Sequence, residues 1–351
     1  MGEKMERKSN IELLRVIAIC MIMLSHFMSY GLFTEPDAYI VWAGGNLVNR
    51  IFSQIFVGGG DIGVGIFFLI SGYFLAYSER TRNVIPFIKQ VYFYGIVCTC
   101  IAIIMKFMNV CDVDVYILTS QSLIPLFGTW WFVAVYFILI FLSKAINSIM
   151  DKLDNKKILV LVVIVMIWYS VGLIVHSSYY PLLRGVYYYM VGAWIRREKI
   201  QCKKSKGIIV FIISWTIYFL LSFFVAGRGG RDSLGVIGDG VRFMQFVIIS
   251  PVAATSIFLL FKQMEIRTSK IINYLGAASF AVYLFHEAPY NRILLWNHIF
   301  VPKRAWETVL FPIYSVFACV CVYSIVLLIE WVRSNLGKLR MKKLYNKKHI
   351  G

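Results

Sequence analysis

The sequence predicts an all-α polytopic integral membrane protein, a bundle of about ten transmembrane helices with both termini in the cytoplasm. Of its 351 residues, 59% are hydrophobic and only 15% are charged, whereas a soluble chain would carry roughly 25% charged residues. The apolar residues are collected into runs of about 20, the length needed to cross hydrocarbon roughly 30 Å thick. This pattern excludes a cytosolic enzyme, a secreted disulfide scaffold and a disordered tail.

Ten apolar runs bounded by charged residues define the predicted helices. The sixth run is short for a span and rich in tyrosine, with Tyr187, Tyr188 and Tyr189 in succession. All ten runs belong to one membrane domain over residues 1–351, whose last part, 331–351, is a basic cytoplasmic tail. The predicted spans lie near 11–30, 62–78, 87–108, 123–143, 157–176, 182–195, 207–226, 241–261, 271–289 and 307–330.

The distribution of basic residues sets the predicted orientation. With the N-terminus in the cytoplasm, the inside segments hold 26 of the 36 Lys and Arg residues, and the outside segments hold 7. This bias is typical of cytoplasmic loops, so it predicts ten spans and cytoplasmic termini. It also accounts for most of the net charge of +18. We therefore expect contact with anionic membrane lipid and none with nucleic acid. Nothing in the sequence indicates an oligomeric state.

Two other features of the composition indicate structure rather than chemistry. The seven cysteines lie mostly inside apolar runs and have no zinc-site spacing, so we expect neither a disulfide nor a metal. The glycine-rich tract 58–65 resembles a phosphate-binding loop only superficially, because it lacks the GK[ST] ending and the strand–turn–helix context. The tract predicts close backbone packing at a helix entrance.

The first helix carries ionisable residues within the hydrocarbon, where they are energetically unfavourable. An ionisable side chain in hydrocarbon is costly unless it is paired or wetted, so each one is a candidate for function. Arg15 and His26 are 11 residues apart, which places them on one helix face about 16 Å apart along the axis. Glu12 lies one turn before Arg15 and is spaced to hold it in an ion pair. A snorkelling cation at a helix end would equally explain Arg15, and a structural hydrogen bond would explain His26.

The ninth helix carries a second histidine at a matching depth. His286 follows Ile271 by 15 residues, as His26 follows Ile11, so both should lie roughly 22 Å into the bundle. Because both helices run from inside to outside, the two histidines and Glu287 could meet in one cavity. An interfacial position near the outer headgroups is the alternative for His286.

The second helix adds a hydroxyl and two cations. Ser71 and Gly72 interrupt an aromatic run, and small residues there usually mean close helix packing. Arg80 and Arg82 follow at the cytoplasmic end, where they bind an anion or simply set the orientation.

Cations and aromatics also mark the predicted outer side. Lys106, Arg184 and Arg242 fall near this surface, where they attract an anionic or sugar-rich acceptor or merely snorkel. Trp130 and Trp131 open the fourth helix there, and an interfacial aromatic belt is the plain explanation for them.

Four sequence blocks follow one another along the chain: NIELLR at 10–15 with His26, FFLISGYFL at 67–75, WWFVAVYF at 130–137 and SFAVYLFHE at 279–287. Together they resemble the acyltransferase family 3 membrane proteins, in that family's order and over nearly the whole chain. The sequence looks closest to the O-acetyltransferases of bacterial capsule and cell-wall polysaccharides. Glu12 stands where many members have Asp, which keeps the carboxylate.

The resemblance implies transfer of an acyl group, commonly acetyl, from acyl-coenzyme A to a hydroxyl of a cell-surface or lipid-linked carbohydrate, in a bacterial cell membrane. It implies His26 as the general base, a role that suits a neutral imidazole in a partly dry cavity. Arg15, with Arg80 and Arg82 on the same side, would hold the phosphates of the coenzyme. His286 or Glu287 would orient His26 or act as a second base.

Two questions stay open at the level of sequence. Direct transfer needs one base, whereas a covalent acyl-enzyme would need a nucleophile, with His26 or Ser71 as candidates; we expect direct transfer. The rival class is a transporter or polysaccharide exporter, which would also have about ten spans and buried charges. The sequence shows no internal repeat and no Gly/Pro-broken helix pair, which disfavours a transporter.

Overall fold

The computed structural model describes residues 8–33, 38–76 and 84–348, with side chains as far as residue 335. Every regular element in these ranges is helical, which confirms the predicted fold class. The α-helices are α1 Ser9–Gly31, α2 Ala38–Gly44, α3 Leu47–Val57, α4 Gly59–Leu75, α5 Ile85–Phe107, α6 Val115–Leu123, α7 Trp131–Asp151, α8 Asn155–Ile174, α9 Tyr180–Arg197, α10 Lys204–Gly227, α11 Val236–Phe243, α12 Ser250–Lys262, α13 Lys270–Glu287, α14 Pro289–Ile293 and α15 Phe311–Lys348.

Short polar side chains begin several of these helices. Asn46, Asp114, Asp154 and Ser269 each accept a hydrogen bond from a backbone N–H in the first turn of α3, α6, α8 and α13. Such caps satisfy donors that have no partner within the helix. Helices α5, α9 and α14 instead begin with a proline in the first turn, where its missing N–H costs nothing.

Eight helical segments of the described chain are long and apolar enough to cross a bilayer, so the protein is a multi-pass membrane protein. The predicted sixth and ninth spans, 182–195 and 271–289, are present as α9 and α13, but their polar side chains keep them out of this set. The count of ten and the cytoplasmic termini stay predictions. The eight segments are Ser9–Gly31, Leu47–Leu75, Ile85–Phe107, Trp131–Asp151, Asn155–Ile174, Lys204–Gly227, Val236–Lys262 and Phe311–Asn335.

The predicted bounds of the fourth span, 123–143, are wrong. The spanning helix α7 begins at Trp131 and continues to Asp151. Its predicted start belongs to a separate short helix, α6, which ends at Leu123. Pro125 and Gly128 follow in a turn, because proline offers no N–H for a continuing helix. An added Cβ at Gly128 would lie 2.8 Å from Ser120 Cβ, so the turn packs back tightly against α6.

Two later elements differ from the prediction in detail. The eighth span contains a six-residue π-helical segment, Met244–Ile249, between α11 and α12. Such a segment shifts the helical register and often occurs at functional sites. The predicted tail 331–351 continues α15 as a helix through Lys348.

The functional centre lies where α1, α4, α9 and α13 pack together. Glycines permit this packing: an added Cβ at Gly72 would lie 2.0 Å from the Tyr189 carbonyl oxygen. At Gly192 it would lie 2.3 Å from the Leu69 carbonyl oxygen. The backbones of α4 and α9 are therefore in direct contact, as small residues allow between membrane helices.

Candidate active site

Helices α1 and α13 run parallel and in register. At one end, Ser9 Oγ donates to Asn273 Oδ1 at 2.8 Å, and Glu12 packs against Gly276. At the other end, His26 Nδ1 lies 3.1 Å from His286 Nε2. The structure thus brings together the two histidines that the sequence places at equal depth.

Glu287 completes a group of three side chains around one ring nitrogen. Its Oε2 lies 2.9 Å from the same Nδ1 of His26. His286 is fully buried, Glu287 is nearly so, and 18% of the His26 side chain is exposed. His26 is therefore the member of the group that a substrate can reach.

Hydrogen bonding fixes the tautomers of both histidines. His286 Nδ1 lies 2.6 Å from the Val282 carbonyl oxygen, which can only accept, so this nitrogen carries the hydrogen. The Nε2 of a neutral His286 is then a lone pair facing His26. The contact geometry places the His26 Nδ1–H toward that lone pair, with the Glu287 carboxylate close beside it. By this assignment His26 Nε2 is a free lone pair, the form of imidazole that acts as a base.

Two side chains hold the Glu287 carboxylate from its other side. Tyr30 Oη donates to Glu287 Oε1 at 3.4 Å, and a guanidinium nitrogen of Arg292 lies 3.5 Å from the same oxygen. The Arg292 guanidinium also lies 4.3 Å from the Tyr30 ring centroid, in a cation–π contact. The carboxylate beside His26 is therefore paired, as a buried charge must be.

A cavity of 490 Å³ opens beside His26. Helices α1, α2, α3, α4, α7, α9, α10 and α11 contribute to its wall, together with the loop after α10 and the π-helical segment. His286 and Glu287 do not line it and lie behind His26. Polar and aromatic side chains alternate along the wall; they include Tyr30, Gln54, Trp131, Arg184, Tyr218 and Gln245.

The cavity contains a second polar group, formed by Asp61, Arg184 and Tyr218. Tyr218 Oη donates to Asp61 Oδ2 at 2.9 Å. Arg184 donates to the Asp61 carbonyl oxygen at 3.0 Å and lies 3.4 Å from Oδ1. Arg184 is buried, with its guanidinium between the rings of Tyr188 and Phe246. Arg184, which the sequence places near the outer surface, therefore lies inside the protein.

The glycine tract brings α4 against α1 and places Asp61 in the wall of the same cavity as His26. Added Cβ atoms would lie 2.9 Å from the Met21 carbonyl oxygen at Gly59 and 2.7 Å from the Ala18 carbonyl oxygen at Gly63. At Gly60 the nearest atom is Ser25 Oγ, at 2.8 Å. The predicted close backbone packing is confirmed. Since Ser25 precedes His26 and Gly60 precedes Asp61, the two functional side chains lie at one helix crossing.

The loop after α10 brings another cation to the cavity, Arg231. Partial burial and the neighbouring Arg242 guanidinium lower the pKa of Arg231. Tyr39 and Trp42 of α2 line the same cavity, and the Trp42 ring also carries the Arg50 guanidinium at 5.1 Å. Aromatic faces and hydrogen-bond donors therefore occur together here.

The structure does not bring the other predicted residues into this cavity. Arg15 is paired with Glu12 at 3.2 Å and lies about three helical turns below His26. Ser71 Oγ donates to the Phe67 carbonyl oxygen of its own helix at 2.8 Å. Arg80 and Arg82 lie outside the described residues.

The residues around His26 also have the composition of a metal site. The ligand atoms of His26, His286 and Glu287 lie within 4.8 Å of one another. A divalent ion bound at His26 Nδ1 would have to replace the hydrogen that this nitrogen shares with His286. Metal binding and the hydrogen-bonded arrangement are therefore mutually exclusive.

Sequence reasoning missed three residues that shape the site: Tyr30, Asp61 and Arg292. Tyr30 is one helical turn after His26, a spacing that could have indicated contact. Asp61 was part of a tract interpreted only as packing, although an acidic residue in an apolar run is itself a signal. Arg292 was counted as a loop cation, and no local pattern links it to Glu287.

Comparison with known protein families assigns most of the chain to one family. A sequence model of the acyltransferase 3 family, described as an acyltransferase domain, matches residues 8–331. No curated protein and no solved structure matches the chain significantly.

Proposed function

The chain belongs to the acyltransferase 3 family, and from that premise we propose that it transfers an acyl group, most simply acetyl, from acyl-coenzyme A to a hydroxyl of a cell-surface or lipid-linked carbohydrate. The enzyme would act in a bacterial cell membrane, among anionic lipids and with both termini cytoplasmic. Membership of an acyltransferase family disfavours the transporter or exporter alternative.

The observation that carries this proposal is the contact of His26 Nδ1 with His286 Nε2 at 3.1 Å and with the Glu287 carboxylate at 2.9 Å, in a histidine that lines the cavity. Its Nε2 lone pair is free to take the proton of the acceptor hydroxyl as that oxygen attacks the thioester carbonyl. The C–S bond then breaks, and the proton on His26 passes to the leaving thiolate, which departs as the thiol of coenzyme A. One base serves both proton transfers.

Glu287 and His286 act as positioning residues in this proposal. The carboxylate lies 2.9 Å from His26 Nδ1 and stabilises the positive charge that the ring acquires in the transition state. His286 is unsuited to the role of a second base, because it is fully buried and its Nδ1 is bound to Val282.

The acyl donor would enter from the side of Arg15. A guanidinium is suited to phosphate, and Arg15 with Arg80 and Arg82 would hold the phosphates of the coenzyme. The pantetheine arm would then extend the distance of about 16 Å along α1 toward His26. Donor and acceptor would thus approach the imidazole from opposite directions.

Direct transfer is the mechanism favoured by the position of the candidate nucleophile Ser71, which does not line the cavity. Ser71, the candidate nucleophile on α4, directs its hydroxyl to its own helix. Radiolabelled acyl-protein trapped after incubation with donor and no acceptor would contradict direct transfer. The proposal needs no metal, so turnover should survive treatment with a chelator. Loss of turnover that is recovered on adding Zn²⁺ would instead make His26, His286 and Glu287 metal ligands.

The test is release of free thiol from acetyl-coenzyme A by the purified protein, with membrane glycan extract as the acceptor. His26→Gln should lower turnover by about 10²- to 10⁴-fold, the contribution of a general base. The matched control is His298→Gln, which changes an exposed histidine outside the cavity and should leave turnover unchanged. Wild-type turnover in His26→Gln would refute the assignment. Mass analysis of the surface glycan from cells lacking the protein would identify the acceptor and the acyl group.

A further inference from the structure

The proposed reaction uses His26 but leaves the group of Asp61, Arg184 and Tyr218 without a role. A buried ion pair gives weak evidence for stability, because removing two charges from water costs about as much as their attraction returns. This pair lies in the wall of the same cavity as His26. A polar group kept at such a position is a candidate for binding what enters the cavity.

The Asp61 carboxylate has acceptor capacity that the protein does not fill. An ionised carboxylate offers about four lone-pair positions. Tyr218 and Arg184 approach Oδ2 and Oδ1, one to each oxygen, and 18% of the Asp61 side chain is exposed. The remaining positions face ligands that donate hydrogen bonds, such as hydroxyl groups.

The partners of Asp61 fix it and balance its charge. Arg184 holds both its carbonyl oxygen and its carboxylate, and is itself packed between two aromatic rings. The Arg184 guanidinium balances the charge of the carboxylate, which still offers oxygen acceptors beside the Arg231 cation of the same cavity. An uncharged polyol fits such a surface, whereas an anionic group at this point would oppose the carboxylate.

The position of Asp61 relates it to the reacting hydroxyl. The close approach of Gly60 to Ser25 places Asp61 and His26 at one crossing of α1 and α4, and both line the cavity. Trp131 lines the same cavity and is exposed, so its ring offers a flat face on which a sugar ring can stack. One sugar ring in the cavity would therefore meet the base and the carboxylate together.

We propose that Asp61, held by Arg184 and Tyr218, accepts hydrogen bonds from the hydroxyls that flank the acylated hydroxyl of the acceptor sugar. Asp61 is then a specificity-determining residue: it selects an uncharged ring with neighbouring hydroxyls and fixes which of them reaches His26. This inference rests on the proposed acyl transfer.

Kinetics of Asp61→Asn with membrane glycan from cells lacking the protein provide the test. A hydrogen bond to a charged group is lost, so the KM for the glycan should rise about 10- to 100-fold. The KM for acetyl-coenzyme A should change less than about twofold, and the acetyl group should appear at more than one position of the sugar. Asp239→Asn, which changes an exposed carboxylate outside the cavity, should behave as wild type.

A second variant separates binding from folding. Asp61→Asn leaves Arg184 without its counter-charge and risks unfolding, whereas Asp61→Glu keeps the charge and displaces the carboxylate by one methylene. Asp61→Glu should keep the thermal midpoint of wild type and still raise the glycan KM. An unchanged glycan KM with a single acetylated position, in either folded variant, overturns the inference. No thiol release by wild type with the same glycan would instead overturn the proposed function.

Discussion

At the scale of single residues, the site depends on one backbone carbonyl. Val282 binds the Nδ1–H of His286 and so turns the lone pair of His286 toward His26. The carboxylate of Glu287 reinforces the same protonation of His26. No sequence pattern reveals this arrangement, because it depends on the orientation of two rings rather than on spacing. Sequence reasoning could place the three side chains at one depth but could not assign their roles.

Arg292 should set the pH dependence of turnover through Glu287. Arg292→Gln removes the cation 3.5 Å from the Glu287 carboxylate, a counter-charge that favours the ionised form of that carboxylate. The acid limb of the pH–rate profile should therefore move to higher pH, and kcat near neutrality should fall about tenfold.

The matched control for Arg292→Gln is Arg304→Gln, which removes an exposed cation from the loop before α15. Its pH profile should coincide with that of wild type. An acid limb that stays in place in Arg292→Gln while kcat falls would reduce Arg292 to a structural role.

At the scale of elements, the short contacts between α1 and α4 decide whether the cavity forms. The glycine tract predicted this packing correctly, because glycine is the residue that permits backbone contact. The fourth span was placed wrongly because Leu123, Ile124 and Phe127 extend the apolar run before α7, although Pro125 and Gly128 in the same stretch are turn signals. An apolar run alone cannot separate such a turn from a span.

Gly63→Ala should separate α4 from α1. The added methyl group would lie 2.7 Å from the Ala18 carbonyl oxygen, which a backbone cannot easily yield. We expect a loss of about 1–3 kcal/mol of stability and lower turnover, because Asp61 moves relative to His26. Gly240→Ala, at a helical position with open space around it, should be neutral or slightly stabilising. Thermal midpoints in detergent and thiol release would measure both; equal midpoints for the two variants would contradict the packing argument.

At the scale of the whole molecule, polar residues are concentrated in the inner helices. Helices α9 and α13 carry Arg184, His286 and Glu287, and lie among other helices rather than facing lipid along their length. Their modest hydropathy follows from this position, since an enclosed helix needs no uniformly apolar surface. Sequence reasoning identified both as apolar runs bounded by charged residues, and the alternation of basic loops supported them with a signal that does not depend on their own composition.

The cavity beside His26 should open on the side opposite the cytoplasm. A membrane-impermeant maleimide applied to intact cells should label Ser29→Cys, which lines the cavity. Thr268→Cys, in the loop before α13 at the other end of α1, should be labelled only after permeabilisation. Wild-type protein, with seven native cysteines, gives the background. If only Thr268→Cys were labelled in intact cells, the protein would have the orientation opposite to the one proposed.

The bond between His286 and Val282 has an electrical consequence. A proton that reaches His26 finds no onward route through His286, because that ring already donates to a carbonyl that cannot pass a proton on. Each turnover would therefore exchange one acyl group for one proton between donor and acceptor, and no net charge would cross the bilayer. Turnover should accordingly be indifferent to the membrane potential, and an enzyme of this design would draw only on the free energy of the thioester.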